Sequence, residues 1–181
     1  MRAQELLEAL KERLGDKLRS PELEVEEIGH RRIRERGFIW AEIEREDLLE
    51  AVRALKELGP LHISVISGAD VGEKIELIYH FAVGYGTPDG EVMVNLRLAV
   101  PKNDPVVPSI CPELPGALTT EREKIEFLGL EFSGIPDSRK LFLPDELKAH
   151  PWRRDEPELS EYVRYTVAWE AKKDEGGEAR A

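Results

Sequence analysis

Leu7, Leu10, Leu14 and Leu18 recur at helical intervals with charged residues between them. This spacing predicts an amphipathic helix that covers a core and ends near Ser20-Pro21. From Leu23 the period shortens to two. Leu23 and Val25 alternate with glutamates, and Phe38-Ile39-Trp40-Ala41-Glu42-Ile43 reads as a second strand after a hairpin turn at Arg36-Gly37. Residues 44–58 return to helical spacing through Leu48, Val52 and Leu55, and Gly59-Pro60 stops them. Three more strands are predicted at 61–67, 75–83 and 92–100. In the last, Val92, Val94, Leu96, Leu98 and Val100 alternate with Met93, Asn95, Arg97 and Ala99, after a turn at Thr87-Pro88-Asp89-Gly90. The order is helix, two strands, helix, three strands. Short turns between successive strands predict an α+β domain over 1–100, an antiparallel sheet with helices on one face.

The second half reads differently. Pro101, Pro105, Pro108, Pro112 and Pro115 exclude helix and central strand, so 101–118 is a proline-rich connector. Thr120 followed by Glu123 matches a capping box, with Glu121 and Glu123 near the positive end of the helix dipole. Gly129 is placed as the C-cap, and Leu130 and Phe132 alternate as a short strand would. An extended run follows, punctuated by Pro136, Pro144, Pro151 and Pro157 and too apolar to be a free tail. Residues 119–169 are therefore read as a helix plus an extended proline-rich C-terminal docking arm. Tyr162 to Trp169 is a β-prone segment in it, and 170–181 is a charged tail.

Composition narrows the function. A net charge of −11 with 35% charged residues argues against nucleic acid as a partner. No apolar run is long enough for a membrane span, and the first residues lack a signal-peptide core. The single cysteine, Cys111, excludes an internal disulfide and a multi-cysteine cluster. Asn and Gln are confined to Asn95, Asn103 and Gln4, a bias associated with heat-adapted, cytoplasmic proteins.

Candidate chemistry is sparse. His30, His62, His80 and His150 fall in separate segments; His62 and His80 are candidate neighbours on paired strands, but lack a third ligand for zinc. Phosphate-loop, dinucleotide, nucleophile-elbow and zinc-protease motifs are missing from the sequence. Cys111 has no neighbouring base, and Glu121, Glu123 and Glu126 are better explained as caps or ion pairs than as acid–base groups. In the arm, Arg122, Arg139, Arg153 and Arg154 are mixed with Asp137, Asp145 and Asp155. Arginine suits bidentate, partly buried pairs. Phe142 and Trp152 are candidate interface anchors, and the prolines lower the entropy cost of holding an extended segment on a partner. The plainer alternative is that the extension folds back over its own sheet.

The run Glu121-Arg122-Glu123, an acid, Gly129, then Phe132-x-Gly134-x-Pro136-Asp137-x-Arg139, Leu141-x-Leu143-Pro144 and His150-Pro151-x-Arg153-Arg154-Asp155-x-Pro157 resembles the signature of the thirty-kilodalton (C) subunit of NADH:quinone oxidoreductase (complex I). That family has counterparts in membrane-bound [NiFe] hydrogenases and ferredoxin-linked complexes. The sequence departs from the family pattern at Ile125, Glu126, Ile135, Ala149 and Glu156, which favours a divergent, hydrogenase-type or sulfur-reducing branch. The resemblance implies a cofactor-free, non-catalytic scaffold subunit on the cytoplasmic side of a membrane-bound complex. It would dock on a large hydrogenase-like subunit and a small iron–sulfur subunit, and contact the membrane arm only indirectly. Iron–sulfur clusters and Ni-Fe would belong to those partners, with the motif residues from Glu121 to Pro157, Leu141, Phe142, Leu143 and Trp152 included, at the subunit interface. Two alternatives stand beside this reading. One is the thirty-kilodalton subunit of NADH:quinone oxidoreductase itself; the other is a free-standing metalloenzyme or ligand binder using His62 and His80.

Overall fold

A computed structural model describes residues 2–28, 34–87, 90–145 and 147–156 of the chain. Helix α1 (Ala3–Leu14) is followed by strands β1 (Arg19–Ile28) and β2 (Arg34–Glu42), helix α2 (Leu48–Leu58), and strands β3 (Leu61–Asp70), β4 (Lys74–Val83) and β5 (Val92–Pro101). The second half adds β6 (Val106–Pro108), α3 (Leu118–Leu128) and β7 (Glu131–Ser133). Among the described residues no helix is long and apolar enough to cross a membrane.

The five long strands form one sheet in the order β1-β2-β5-β4-β3. Three of its four pairings are antiparallel, but β2 and β5 are parallel, with Phe38 opposite Met93 and Glu42 opposite Arg97. The expectation of an antiparallel sheet holds for three pairings and is corrected at this one, and α2 supplies the reason. It carries the chain from β2 to the far edge, and the β3-β4-β5 meander then works back until β5 runs alongside β2 in the same direction. Helices on parallel crossovers cover a sheet face, and Leu6, Leu10, Val52 and Leu55 pack with Ile39, Leu77, Phe81, Val94 and Leu96 in one core. Each fully buried leucine of this kind contributes roughly 1.5–3 kcal/mol relative to exposure. β5 carries the alternation expected of it, with Val94, Leu96, Leu98 and Val100 buried and Arg97 and Ala99 exposed.

Two local expectations fail for packing reasons. Arg36-Gly37 is not a hairpin turn: Gly37 lies inside β2, opposite Val25. A Cβ on Gly37 would stand 2.2 Å from that of Ala3, so the glycine is needed where the start of α1 crosses the strand. In β3 a bulge between Ile63 and Val65 leaves Ser64 unpaired and moves the buried face from Ile63 to Ile66.

The proline-rich segment contributes to the core. Val107, Ile110, Cys111 and Ala117 pack with the sheet, and Pro101 and Pro108 stand at strand ends, where a residue lacking an N–H is tolerated. β6 pairs in parallel with β7, Val107 opposite Phe132. Leu130 and Phe132 are buried, as their alternation implied. His30, Pro157, the segment from Tyr162 to Trp169 and the charged tail lie outside the described residues.

Candidate functional site

Helix α3 does not start at Thr120. A 3-10 turn, Pro115–Ala117, leads into it at Leu118. Thr120 is thus inside the helix, and its hydroxyl is used elsewhere: Oγ1 accepts a hydrogen bond from Ile66 N–H at 2.9 Å. That N–H belongs to the edge strand β3, so α3 covers an edge that would otherwise be open to pairing. Gly68 permits the close approach, since a Cβ there would meet Leu128 Cδ1 at 2.5 Å.

Glu121, one of the residues that the family motif put at the interface, is completely buried. Its carboxylate accepts from Ser109 Oγ–H at 2.6 Å, Ile110 N–H at 2.7 Å and the Cys111 thiol at 3.2 Å. Burial raises the Glu121 carboxyl above the ordinary glutamate range against these three donors. Burial, with Glu121 beside it, also pushes the Cys111 thiol up to about 11, so this sulfur is an inert structural thiol. Glu121 therefore ties the connector to α3 and offers nothing to the surface.

The outward side of α3 holds the arm. The Glu126 carboxylate, on a residue 4% exposed, gathers three successive backbone donors. Oε1 accepts from Leu141 N–H, both oxygens accept from Phe142 N–H at 3.2 and 2.9 Å, and Oε2 accepts from Leu143 N–H at 3.2 Å. One turn earlier, Arg122 donates from Nε to the Arg139 carbonyl at 2.7 Å and from Nη2 to the Lys140 carbonyl at 2.9 Å. Arg139 in turn grips Asp137 with paired bonds of 2.9 and 2.7 Å, which hold the Asp137 carboxyl well below the usual range.

At the far end Gly129 is the C-cap expected, with φ 67° and ψ 35°. His150 Nδ1–H donates to the Glu126 carbonyl at 2.9 Å, and its ring lies against Gly129, where a Cβ would meet Cδ2 at 2.6 Å. Glu156 Oε2 accepts from His150 N–H at 2.7 Å. Trp152 N–H donates to the Phe127 carbonyl at 2.8 Å, the two rings lie 4.6 Å apart, and Lys124 Nζ sits 4.7 Å from the Trp152 ring centre. The arm finally reaches the sheet: Asp70, at the end of β3, accepts from Arg154 N–H at 2.8 Å and pairs with Lys102 at 2.6 Å, which also reaches Asp155 at 3.0 Å. Burial works to raise the Asp70 carboxyl, but Lys102 and the Arg154 and Gly72 N–H groups outweigh it and hold the carboxyl at about 2.

Through its described residues up to Glu156, the arm is thus folded back onto its own helix. The motif residues divide accordingly. Glu121, Gly129 and Phe132 serve the interior, Glu123 pairs with Lys124, and Gly134 makes a left-handed turn at φ 82°. Arg122, Asp137 and His150 fasten the arm. Leu141, Phe142 and Trp152 remain 37%, 61% and 41% exposed, and Pro136, Arg139, Pro144, Arg154 and Asp155 are also exposed. Sequence reasoning missed Glu126, Phe127 and Lys102 as organising residues. The spacing of Glu126 from Arg122, one helical turn, was the available signal; Lys102 had none, because only the β4–β5 pairing brings it to Asp70.

Among the described residues the histidines do not form a site. His62 stacks on Tyr85 at 4.5 Å, while His80 contacts Asn95 Oδ1 at 2.7 Å and Ser67 Oγ at 2.9 Å. β3 residue His62 stands opposite Ala82, not His80. Among the described residues no group of three or more His, Cys, Asp or Glu side chains is arranged to hold a metal.

Residues 41–162 match the family described as respiratory-chain NADH dehydrogenase, 30 Kd subunit. The chain is 36% identical over 129 residues to the membrane-bound hydrogenase subunit beta of Pyrococcus furiosus, covering 70% of this chain and 74% of that protein. It is 30% identical over 129 residues to NADH-quinone oxidoreductase subunit 5 of Thermus thermophilus, covering 67% of this chain and 62% of that one. Identity is also 30% over 129 residues to the NADH-quinone oxidoreductase C subunit of a Nocardioides species, of which the chain spans only 50%. Thermophile hosts are therefore represented among the relatives, in line with the amino-acid bias. In fold, the chain superposes on one from the membrane-bound sulfane sulfur reductase, an archaeal respiratory membrane complex, with a TM-score of 0.68 at 20% identity, over 90% of this chain and 89% of that one. The trypsin-resistant fragment of Nqo5 superposes with a TM-score of 0.56 at 24% identity, over 76% of this chain and 99% of the fragment. The matched stretch takes in the sheet from the end of β2 onward, helix α3 and the whole described arm, and the chain belongs to the respiratory-chain NADH dehydrogenase 30 Kd subunit family.

Proposed function

We propose that this chain is a cofactor-free, non-catalytic subunit of a complex-I-like membrane-bound oxidoreductase of the hydrogenase or sulfur-reducing type. It docks on the large hydrogenase-like and small iron–sulfur subunits at the cytoplasmic side of the membrane. There it orders the surfaces across which electrons pass from ferredoxin or NADH, in a reaction coupled to ion pumping. Iron–sulfur clusters and any Ni-Fe centre belong to those partners. The observation that carries this reading is the clasp. Polar ties from Arg122, Glu126 and His150 fix the arm on α3, yet Leu141, Phe142 and Trp152 stay exposed on it. Side chains of this kind on a pre-ordered backbone bind a partner at low entropic cost. The fuller coverage of the hydrogenase subunit, 74% against 50–66% for the NADH-linked relatives, supports that branch.

Purification of the tagged chain from native membranes tests the proposal. A large hydrogenase-like subunit and a small iron–sulfur subunit should accompany it in equal amounts, and Phe142→Asp, at the most exposed of these side chains, should release it with its melting temperature nearly unchanged. Recovery of the chain alone would end the scaffold reading. Stoichiometric zinc or iron in the purified chain would instead favour the metalloenzyme.

A further inference from the structure

We propose that the open cleft beside the arm, between the β3–β4 turn, the end of β5 and residues 153–155, is a receptor for a carboxylate on the partner subunit. The inference rests on the docking reading and names the chemistry that the partner must present there. The cleft has a volume of about 820 Å³ and is lined by Lys74, Lys102, Arg153 and Arg154 facing Asp70, Glu73 and Asp155. Its balance is therefore cationic on a chain whose net charge is −11.

Among the described residues the internal pairs do not exhaust the cations. Lys102 is spent on Asp70 and Asp155, at 2.6 and 3.0 Å. Arg153 is within ionic range of Asp155 at 3.4 Å and Glu156 at 3.9 Å, but its Nε–H is buried without a hydrogen-bond acceptor among the described residues. That Nε–H is itself closed to an incoming group, so a partner's carboxylate meets the cleft at the exposed guanidinium of Arg154, whose fork matches its two oxygens. Arg154 is fixed by its backbone N–H on Asp70 while its side chain is exposed, and Lys74 is exposed at the opposite rim. The site is held in place from both sides, by β3 through Asp70 and by β5 through Lys102. Trp152 precedes Arg153 directly in the chain, so the exposed aromatic side chain of the arm is the sequence neighbour of a cleft residue. The occupant is thus an Asp or Glu side chain of the same subunit that covers Phe142 and Trp152, seated between Arg153, Arg154 and Lys74.

Two measurements test this. In the first, nuclear magnetic resonance spectra of the full chain are recorded during titration with citrate and, separately, with inorganic phosphate. Citrate should shift the Arg153 Nε–H signal and the amides of Gly72, Asn103 and Arg154. Arg154→Glu should abolish the shifts, and Glu73→Gln, at the rim and outside the arm, should tighten citrate binding two- to threefold, on the order expected for one nearby charge in water. Absence of the shifts, or phosphate binding as tightly as citrate, overturns the carboxylate assignment. In the second, chains carrying Arg154→Glu or Glu12→Gln, the latter exposed on α1 and outside the cleft, are co-expressed with the remaining subunits. Recovery of the complex should fall about tenfold or more for Arg154→Glu and remain at the unmodified level for Glu12→Gln. Full recovery with Arg154→Glu rules out use of the cleft, whereas failure of even the unmodified chain to bring down a partner counts against the docking function itself.

Discussion

Glu126 holds the arm on α3, and its replacement gives the sharpest measure of that attachment. The carboxylate is the acceptor for Leu141, Phe142 and Leu143 N–H, on a residue 4% exposed. Glu126→Ala leaves three backbone donors without it. An orphaned buried donor costs about 1–3 kcal/mol. Because Leu141 and Phe142 are exposed enough for water to enter, the low end applies, about 1 kcal/mol each and about 3 kcal/mol together. At about 1.4 kcal/mol per decade, opening of this part of the arm becomes roughly a hundredfold more frequent. Glu126→Gln keeps one acceptor oxygen but no charge, and should lose about half as much, roughly a tenfold effect. Native-state hydrogen exchange reads this directly, as faster exchange at 141–143, while β4 amides such as Leu77 keep their protection. Equal exchange at 141–143 in Glu126→Ala and the unmodified chain would refute the carboxylate's role. Loss of protection throughout β4 would show that the arm and the sheet open as one unit.

Gly129→Ala should lower the melting temperature by about 4–8 °C, from a left-handed cost of roughly 1–2 kcal/mol plus the encounter with His150. Adding His150→Ala should recover the steric share only, so calorimetry on the four variants of this cycle should give a non-additive result. Arg122→Lys preserves the charge but not the fork that spans the Arg139 and Lys140 carbonyls; about 1 kcal/mol should be lost in urea denaturation, with faster proteolysis of the arm. Asp70 is depressed from 3.8 to about 2, so its contribution is complete above pH 4 and lost as pH falls through 2. Glu121 is shifted upward by burial and has the opposite sign, so its protonation favours the fold as pH falls toward and below 4.5. A pH series of melting temperatures on Asp70→Asn should show a shallower acid-side decline between pH 4 and 2, the remainder belonging to other depressed carboxylates such as Asp137, and one on Glu121→Gln should lose that residue's share of the dependence above 4.5.

Much of the fold was legible because the residues that specify it are near one another in sequence. The alternation of β5, the apolar face of α2 and the Gly129 cap each follow from a few adjacent side chains. Elements fixed by distant contacts were not readable. Nothing near Gly37 announces that Ala3 passes over it, and nothing near Thr120 announces that its hydroxyl is needed by Ile66. The parallel β2–β5 pairing follows from where α2 places β3, which no local pattern encodes. For the site, the motif from Glu121 to Asp155 covers residues that the fold links through α3 and the arm. It did not tell which of them hold the arm and which face outward, because Glu121 and Arg122 are adjacent in sequence and opposite in role.

The parallel pairing also bears on how the chain reaches this structure. β1 with β2, and β3 with β4 and β5, are each joined by sequence neighbours and can form early at low loop-closure cost. The β2–β5 seam, where Phe38 meets Met93, closes the longest loop in the sheet and gains its contacts only after both halves exist. The rate of folding should therefore be set at this seam. Truncations such as Ile39→Val or Val94→Ala should slow folding more than they speed unfolding, while changes to the arm act almost wholly on unfolding.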